Sequence, residues 1–122
     1  MTSVPDFTPA EQGTDETVWR ATLARRPALA LPMMRGRLVV VAPHPDDETL
    51  GAGGLMAALA AAGWSIVVVL VTDGESAYPG VPGLGDRRAG ETATALHELG
   101  VRAEVIRLRY PDGALEDRVH AL

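Results

Sequence analysis

The chain has 122 residues, of which 47% are hydrophobic, enough for the core of one ordinary domain. Its formal net charge of -5 provides no basic surface that could neutralise a phosphate backbone, so nucleic acid is excluded as an expected partner. The absence of cysteine excludes disulfides and thiolate metal sites, and any metal must therefore be bound by imidazole and carboxylate groups.

The first 36 residues carry most of the irregular signals in the chain. These are Pro5, Pro9, Gly13, Pro27, Pro32 and Gly36. One short helix is predicted from about Asp15 to Arg25, and we interpret residues 1–36 as an N-terminal arm. The segment lacks the basic region, apolar core and cleavage site of a secretory signal, which predicts a cytoplasmic protein.

A regular alternation of apolar runs and helical segments begins after residue 36. Strands are predicted at 38–42, 66–71 and 103–108, and helices at 49–62, 87–99 and 114–122. This βαβαβα order predicts a Rossmann-like α/β fold with a parallel sheet and right-handed crossovers over residues 37–122. Three strands leave the outer sheet edge without a partner, which indicates an incomplete domain.

Residues 51–71 contain no charged side chain and are numerous enough to cross a bilayer. The sequence Gly63-Trp64-Ser65 divides this stretch into an alanine-rich part and a valine-rich part. The change in local preference predicts a helix, a turn and a strand, so we expect no membrane partner.

The first predicted strand leads directly into His44-Pro45-Asp46-Asp47-Glu48. His44 and Asp47 are predicted to bind one divalent metal, which leaves Asp46 free to accept a proton from water. Zinc is expected, because imidazole and carboxylate suit it and hydrolysis needs no redox change; iron, cobalt or manganese could substitute. The alternative is that Asp46 or Asp47 only caps a helix, which leaves His44 unexplained.

All three predicted strands end in acidic loops, at 44–48, 72–76 and 110–113. Because parallel strands bring their carboxyl ends to one edge, these loops predict a ligand-binding crevice. Taken singly, an Asp-Gly pair is also an ordinary turn sequence.

Three glycines after the first strand raise a second class of function. Gly51, Gly53 and Gly54, with Asp73 about twenty residues further on, are reminiscent of a nucleotide-binding Rossmann half. The first glycine lies too far from the strand, and Met56 stands where the third fingerprint glycine belongs. We therefore expect these glycines to allow the first helix to pack closely against the sheet, and keep nucleotide binding as an alternative.

Residues 43–48 resemble the Ala-His-Pro-Asp-Asp-Glu signature of the PIG-L/LmbE-like family of zinc-dependent N-deacetylases, with Pro43 in place of alanine. The similarity continues through 49–54, 72–75, 88–91 and 111–113, and so covers about residues 37 to 122. The resemblance implies hydrolysis that removes an acyl group, acetyl being expected, from an N-acylated amino sugar such as N-acetylglucosamine. It also implies that Asp46 returns its proton to the leaving amine.

The resemblance further implies that Arg88 and Asp112 bind the substrate through sugar hydroxyls, a task that suits a guanidinium and a carboxylate. As alternatives, Arg88 could pair with Glu91 on a helix surface, and Asp112 could only shape a turn. For Glu48 two roles remain open: it could orient His44, or it could be a favourable charge in the first helical turn.

Family members take a third metal ligand from a downstream histidine-rich motif, whereas this chain stops at Leu122. Helical geometry predicts that His97 and His120 are solvent-exposed and do not replace that ligand. The resemblance therefore implies the N-terminal part of a longer enzyme, inactive alone. A noncatalytic sugar-binding or interaction remnant is the alternative, and a homo-oligomer formed through the sheet edge stays open.

Overall fold

The computed structural model describes residues 12–28, 30–31 and 34–115. Its helices are α1 (Glu16–Leu23), α2 (Asp47–Ala61) and α3 (Leu84–Glu98), and its strands are β1 (Arg37–Ala42), β2 (Ser65–Thr72) and β3 (Ala103–Tyr110). The chain divides into two compact units, residues 1–31 and 32–122. The predicted domain boundary at residue 36 stays a prediction.

The first unit contains α1, which confirms the short helix predicted in this region. The helix begins after Asp15, whose carboxylate accepts a hydrogen bond from the backbone N–H of Thr17 at 2.8 Å. This capping bond satisfies one of the free N–H groups in the first turn. A hydrogen bond from the Thr17 hydroxyl, together with the capping bond, lowers the pKa of Asp15.

The second unit is an α/β structure built on a parallel sheet with the strand order β1-β2-β3. Val40 of β1 lies opposite Val68 of β2, and Val68 lies opposite Val105 of β3. The predicted Rossmann-like fold class is confirmed, with each strand within two residues of its predicted ends. The last predicted helix, 114–122, falls largely on residues 116–122, which lie outside the described part of the chain.

The core lies between the helices and the central strand β2. Val68 and Leu70 of β2 are fully buried, together with Met56 of α2, and Leu96 of α3 is 4% exposed. Burial of these apolar side chains drives the packing of both helices on the sheet. β2 pairs with a strand on each side, and Ile66, Val67, Val68 and Leu70 are all buried, in keeping with its continuous apolar sequence.

The glycine cluster lies inside α2, beyond its first residues, and does not form the turn between β1 and α2. A Cβ atom on Gly53 would lie 3.3 Å from Cδ1 of Leu99, whereas Gly51 and Gly54 face open space. Gly53 therefore allows a close approach to the end of α3, and the expected role of these glycines in packing against the sheet is wrong. The glycines therefore do not form the phosphate-binding turn that the nucleotide-binding alternative requires.

The uncharged stretch 51–71 is divided as predicted, because α2 ends at Ala61 and β2 begins at Ser65. Gly63 adopts a positive φ of 83° in the turn between them. Among the residues that the structure describes, none of the helices has the length and apolar character needed to span a bilayer.

Replacing Leu70 with alanine is expected to lower the free energy of unfolding by about 2–5 kcal/mol, because it opens a cavity in a fully buried site. Chemical denaturation followed by circular dichroism would measure the change. Leu50→Ala is the matched control, since that leucine is 83% exposed, and its effect should stay within about 0.5 kcal/mol. Equal losses in the two variants would contradict the assigned core.

Candidate functional site

The loops that follow the three strands meet at the carboxyl edge of the sheet. They border a cleft of about 330 Å³ lined by His44, Asp46, Ser76, Ala77, Arg88 and Asp112. The crevice predicted from the three acidic loops is therefore present, and four of its lining residues are ones that the sequence singled out.

Thr72, the last residue of β2, anchors the loop between β1 and α2. Its backbone N–H donates to the carbonyl of Pro43 at 3.0 Å, and its buried hydroxyl donates to the same carbonyl at 2.9 Å. The paired strands and these two bonds fix where the chain leaves β1, and so fix the position of His44.

His44 and Asp47 form a partly exposed pair of potential metal ligands. The distance from His44 Nδ1 to Asp47 Oδ2 is 3.3 Å, and the two side chains are 42% and 44% exposed. In a tetrahedral zinc site, ligand bonds of about 2.0–2.2 Å separate a nitrogen and an oxygen donor by roughly 3.4 Å. The spacing and chemistry of this pair therefore fit a zinc ion.

Asp112 contacts the other side of the His44 ring. Its Oδ1 lies 3.1 Å from His44 Nε2, and its Oδ2 accepts a hydrogen bond from the backbone N–H of Ser76 at 3.1 Å. A neutral imidazole that donates its Nε2–H to this carboxylate has an unprotonated Nδ1. The lone pair of Nδ1, on the side of the ring that faces Asp47, can then bind a metal. The sugar contact inferred for Asp112 stays a prediction.

Asp46 precedes the first residue of α2, yet its carboxylate makes no capping hydrogen bond. Instead its Oδ2 lies 3.1 Å from Arg88 Nη2, and the side chain is 58% exposed. Asp47 is likewise no conventional cap, because its Oδ2 accepts from the backbone N–H of His44. The alternative that these aspartates only cap a helix is therefore wrong.

Arg88 connects two of the loops. Its Nη1 donates to the carbonyl of Gly74 at 3.0 Å and its Nη2 to the carbonyl of Pro45 at 2.6 Å, with the side chain 15% exposed. Arg88 therefore pairs with Asp46 and not with Glu91, the partner suggested by the alternative interpretation. Its contact with a sugar stays a prediction.

Gly74→Ala is expected to displace Arg88, because the new Cβ would overlap with Arg88 Nη1, at a backbone φ of 63°. Both the clash and the backbone strain reduce stability, by roughly 1–3 kcal/mol for the strain alone. Gly80→Ala is a matched control, since its φ of 84° gives similar strain with nothing within 4 Å of the new atom. Denaturation midpoints should fall further for Gly74→Ala; equal midpoints would contradict the steric role of Gly74.

Glu48 is buried, with an exposed fraction of 1%. Its Oε2 accepts from the backbone N–H of Asp46 at 3.0 Å, and its Oε1 accepts from the Thr49 hydroxyl at 2.9 Å. No hydrogen bond among the described residues joins Glu48 to His44, so the suggested orientation of the imidazole by Glu48 is wrong.

Asp73, which the nucleotide-binding alternative assigned to a ribose, forms an ion pair with a residue of β3. Its Oδ1 lies 2.8 Å from Arg107 Nε, and Arg107 Nη2 also reaches Asp86 at 3.1 Å. The hydrogen bond that Arg107 Nε donates to Asp73 raises the pKa of the Arg107 guanidinium. The carboxylate therefore serves an ion-pair network and not a ribose hydroxyl.

The described part of the chain contains no group of three or more His, Asp or Glu side chains placed to hold a metal ion. The side chain of His97 is 88% exposed, in agreement with its predicted solvation. His120 lies outside the described residues. The assignment of His44 and Asp47 as metal ligands stays a prediction.

Two contributors to the cleft were missed from the sequence. Ser76 binds Asp112 through its backbone N–H, and the carbonyl of Pro45 accepts from Arg88. Main-chain groups carry no residue signature, so only the position of these residues in strand-end loops could have indicated them.

Residues 39–122 match the family described as PIG-L, GlcNAc-PI de-N-acetylase. A 1D-myo-inositol 2-acetamido-2-deoxy-alpha-D-glucopyranoside deacetylase from Kineococcus radiotolerans is 39% identical over 85 residues, covering 63% of this chain and 23% of that protein. The chain thus spans about a quarter of the length of this relative.

Solved structures share the fold. The conserved protein TT1542 from Thermus thermophilus is 38% identical, with a TM-score of 0.56 over 72% of this chain and 40% of that one. N,N'-diacetylchitobiose deacetylase from Pyrococcus horikoshii is 26% identical, with a TM-score of 0.56 and coverages of 84% and 41%. GalB, the 4-carboxy-2-hydroxymuconate hydratase from Pseudomonas putida, is 29% identical, with a TM-score of 0.55 and coverages of 66% and 36%.

Proposed function

Because its residues 39–122 match the PIG-L family, the chain belongs to that family, and we propose that it acts in the metal-dependent removal of an acetyl group from an N-acetylated amino sugar. The observation that carries the proposal is the pair of potential metal ligands, His44 and Asp47, beside Asp46, whose carboxylate does not cap the helix. Two of the similar proteins are named as deacetylases of acetamido sugars, which supports the same substrate class.

His44 Nδ1 and Asp47 Oδ2 would hold a zinc ion, with Asp112 fixing the imidazole through Nε2. When bound, zinc supplies a Lewis acid that lowers the pKa of water and polarises an amide carbonyl. Asp112 also favours the tautomer in which Nδ1 is a ligand, because it accepts the proton of the opposite ring nitrogen.

Asp46 acts as the general base. Its exposed carboxylate accepts a proton from the attacking water and later donates it to the departing amine, so one residue serves both halves of the hydrolysis. Arg88 keeps this carboxylate at the cleft by binding Oδ2, while its bond to Pro45 fixes the same loop.

Arg88 and Asp112 also bind the sugar in this proposal. The guanidinium has five N–H donors, and three hydrogen bonds to described residues leave some of them for a hydroxyl. Asp112 accepts bonds on both oxygens, but a carboxylate has about four lone-pair sites and can accept a further O–H. Both side chains line the cleft that contains His44.

A noncatalytic sugar-binding remnant of this fold is one alternative function. The likeness to a hydratase indicates that the same fold can serve the addition of water to a carbon–carbon double bond. The alternatives predict different outcomes: the remnant binds sugar without forming a product, and the hydratase forms a hydrated product.

The test is an assay of the intact protein, loaded with Zn²⁺, on a β-glycoside of N-acetylglucosamine. We expect primary amine and acetate to appear in equal amounts, with loss of activity after chelation and recovery after zinc addition. Saturable sugar binding without acetate would favour the remnant. Hydration of an unsaturated dicarboxylate without acetate release would favour the hydratase, and either result would reject the deacetylase.

A further inference from the structure

Asp46 has an unusual backbone conformation, with a φ of 118° and a ψ of -32°. Positive φ is unfavourable for a residue with a side chain, and such strain persists only where neighbouring groups hold it. The one other non-glycine residue with positive φ among those described is Arg109. A strained residue directly before α2 therefore needs a group that keeps it in place.

Glu48 is placed to supply that restraint. It is buried to 1% exposure, and its Oε2 accepts the Asp46 N–H at 3.0 Å. The Thr49 hydroxyl donates to the other carboxyl oxygen, Oε1, at 2.9 Å, a bond that does not involve the Asp46 N–H. The side chain of Glu48 thus fixes one end of the strained residue from inside the fold.

An aspartate before a helix ordinarily adopts a negative φ and places its carboxylate over the free N–H groups of the first turn. In that conformation the carboxylate of Asp46 would be engaged by α2. At a φ of 118° it instead reaches Arg88 Nη2 at 3.1 Å and lines the cleft with His44. The backbone conformation decides whether this carboxylate caps the helix or faces the site.

We propose that Glu48 is a positioning residue: by accepting the Asp46 N–H it holds Asp46 in the strained conformation that directs its carboxylate to the cleft. This inference rests on the proposed function, in which Asp46 is the general base. The bond resembles the reach-back bond of a capping box, but it comes from the second helical residue and not the third, and the carboxylate of Asp46 makes no capping bond in return.

A merely structural role would make different predictions. If Glu48 only stabilised α2, its loss would lower stability and would leave the turnover of the remaining folded protein unchanged. If it positions Asp46, its loss lowers kcat, because the base is misplaced, and leaves KM and zinc content close to their original values.

The test compares Glu48→Met, Glu48→Gln and Thr49→Val in the intact, zinc-loaded protein. Methionine removes the acceptor at similar volume, and we expect kcat to fall by about 10–100-fold, the usual range for a residue that orients a reacting group. Glutamine retains an oxygen that can accept the Asp46 N–H, so it should restore most of the turnover. Thr49→Val leaves the Asp46–Glu48 bond intact and should resemble the original protein.

Hydrogen exchange of the Asp46 amide, followed by NMR, provides a readout that does not depend on activity. This N–H should exchange faster in Glu48→Met, and slowly in Glu48→Gln and Thr49→Val. A folded Glu48→Met variant with unchanged kcat, or with unchanged exchange at Asp46, would overturn the proposal. If exchange responds as expected while the original protein releases no amine, the proposed function fails and the restraint of Asp46 stands.

Discussion

Replacing Asp46 with asparagine is expected to lower kcat by about 10²–10⁴-fold, the usual contribution of a general base, while zinc content stays unchanged. Asparagine preserves the size of the side chain and an oxygen that can still accept from Arg88 Nη2, which approaches Asp46 at 3.1 Å. It cannot accept a proton from water at neutral pH. Steady-state amine release and metal analysis of the same preparation would measure both effects.

Asp86→Asn is the matched control for Asp46→Asn. The same chemical change is made in an 83% exposed carboxylate that pairs with Arg107 and does not line the cleft. Its kcat should stay near the original value. An Asp46→Asn protein that turns over normally would reject the assigned base, and a variant that loses zinc would show that Asp46 belongs to the ligand set.

The fold was largely predictable because its signals are local. The valine-rich run of β2 is buried on the central strand, and a break at Gly63 separates it from α2. Helix starts were less accurate, since α3 was predicted from 87 and begins at Leu84. That start follows Gly83, which has a positive φ of 72°, and Leu84 is buried; neither fact can be read from helical periodicity.

The candidate site was predictable in its residues and much less so in its contacts. The string containing His44 and Asp46 indicated metal and acid–base chemistry because an imidazole and adjacent carboxylates follow a strand. The partners of these side chains lie far away along the chain: Asp112 is 68 positions from His44, and Arg88 is 42 from Asp46. Only the parallel register brings such loops together, and side-chain direction then depends on backbone angles such as the φ of Asp46.

His44→Ala is expected to remove zinc binding and with it all measurable amine release. The change deletes one of the two described donors and leaves Asp47 alone, and it also frees Asp112 from the imidazole it contacts at 3.1 Å. Loss of an orienting partner alone typically costs about 10–100-fold in metal affinity, and loss of a ligand should cost more. Competition with a chelating indicator would give the zinc affinity, and circular dichroism would establish that the variant is folded.

His97→Ala is the matched control for His44→Ala, because it removes an imidazole whose side chain is 88% exposed on α3. Zinc affinity and kcat should both stay near their original values in this variant. Each variant loses one histidine, and the two variants differ only in the position of that histidine. The comparison therefore distinguishes a specific zinc ligand from nonspecific binding of zinc by an imidazole. A His44→Ala protein that retains its zinc and its turnover would place the metal on other residues, and the proposed chemistry of the His44–Asp47 pair would then be wrong.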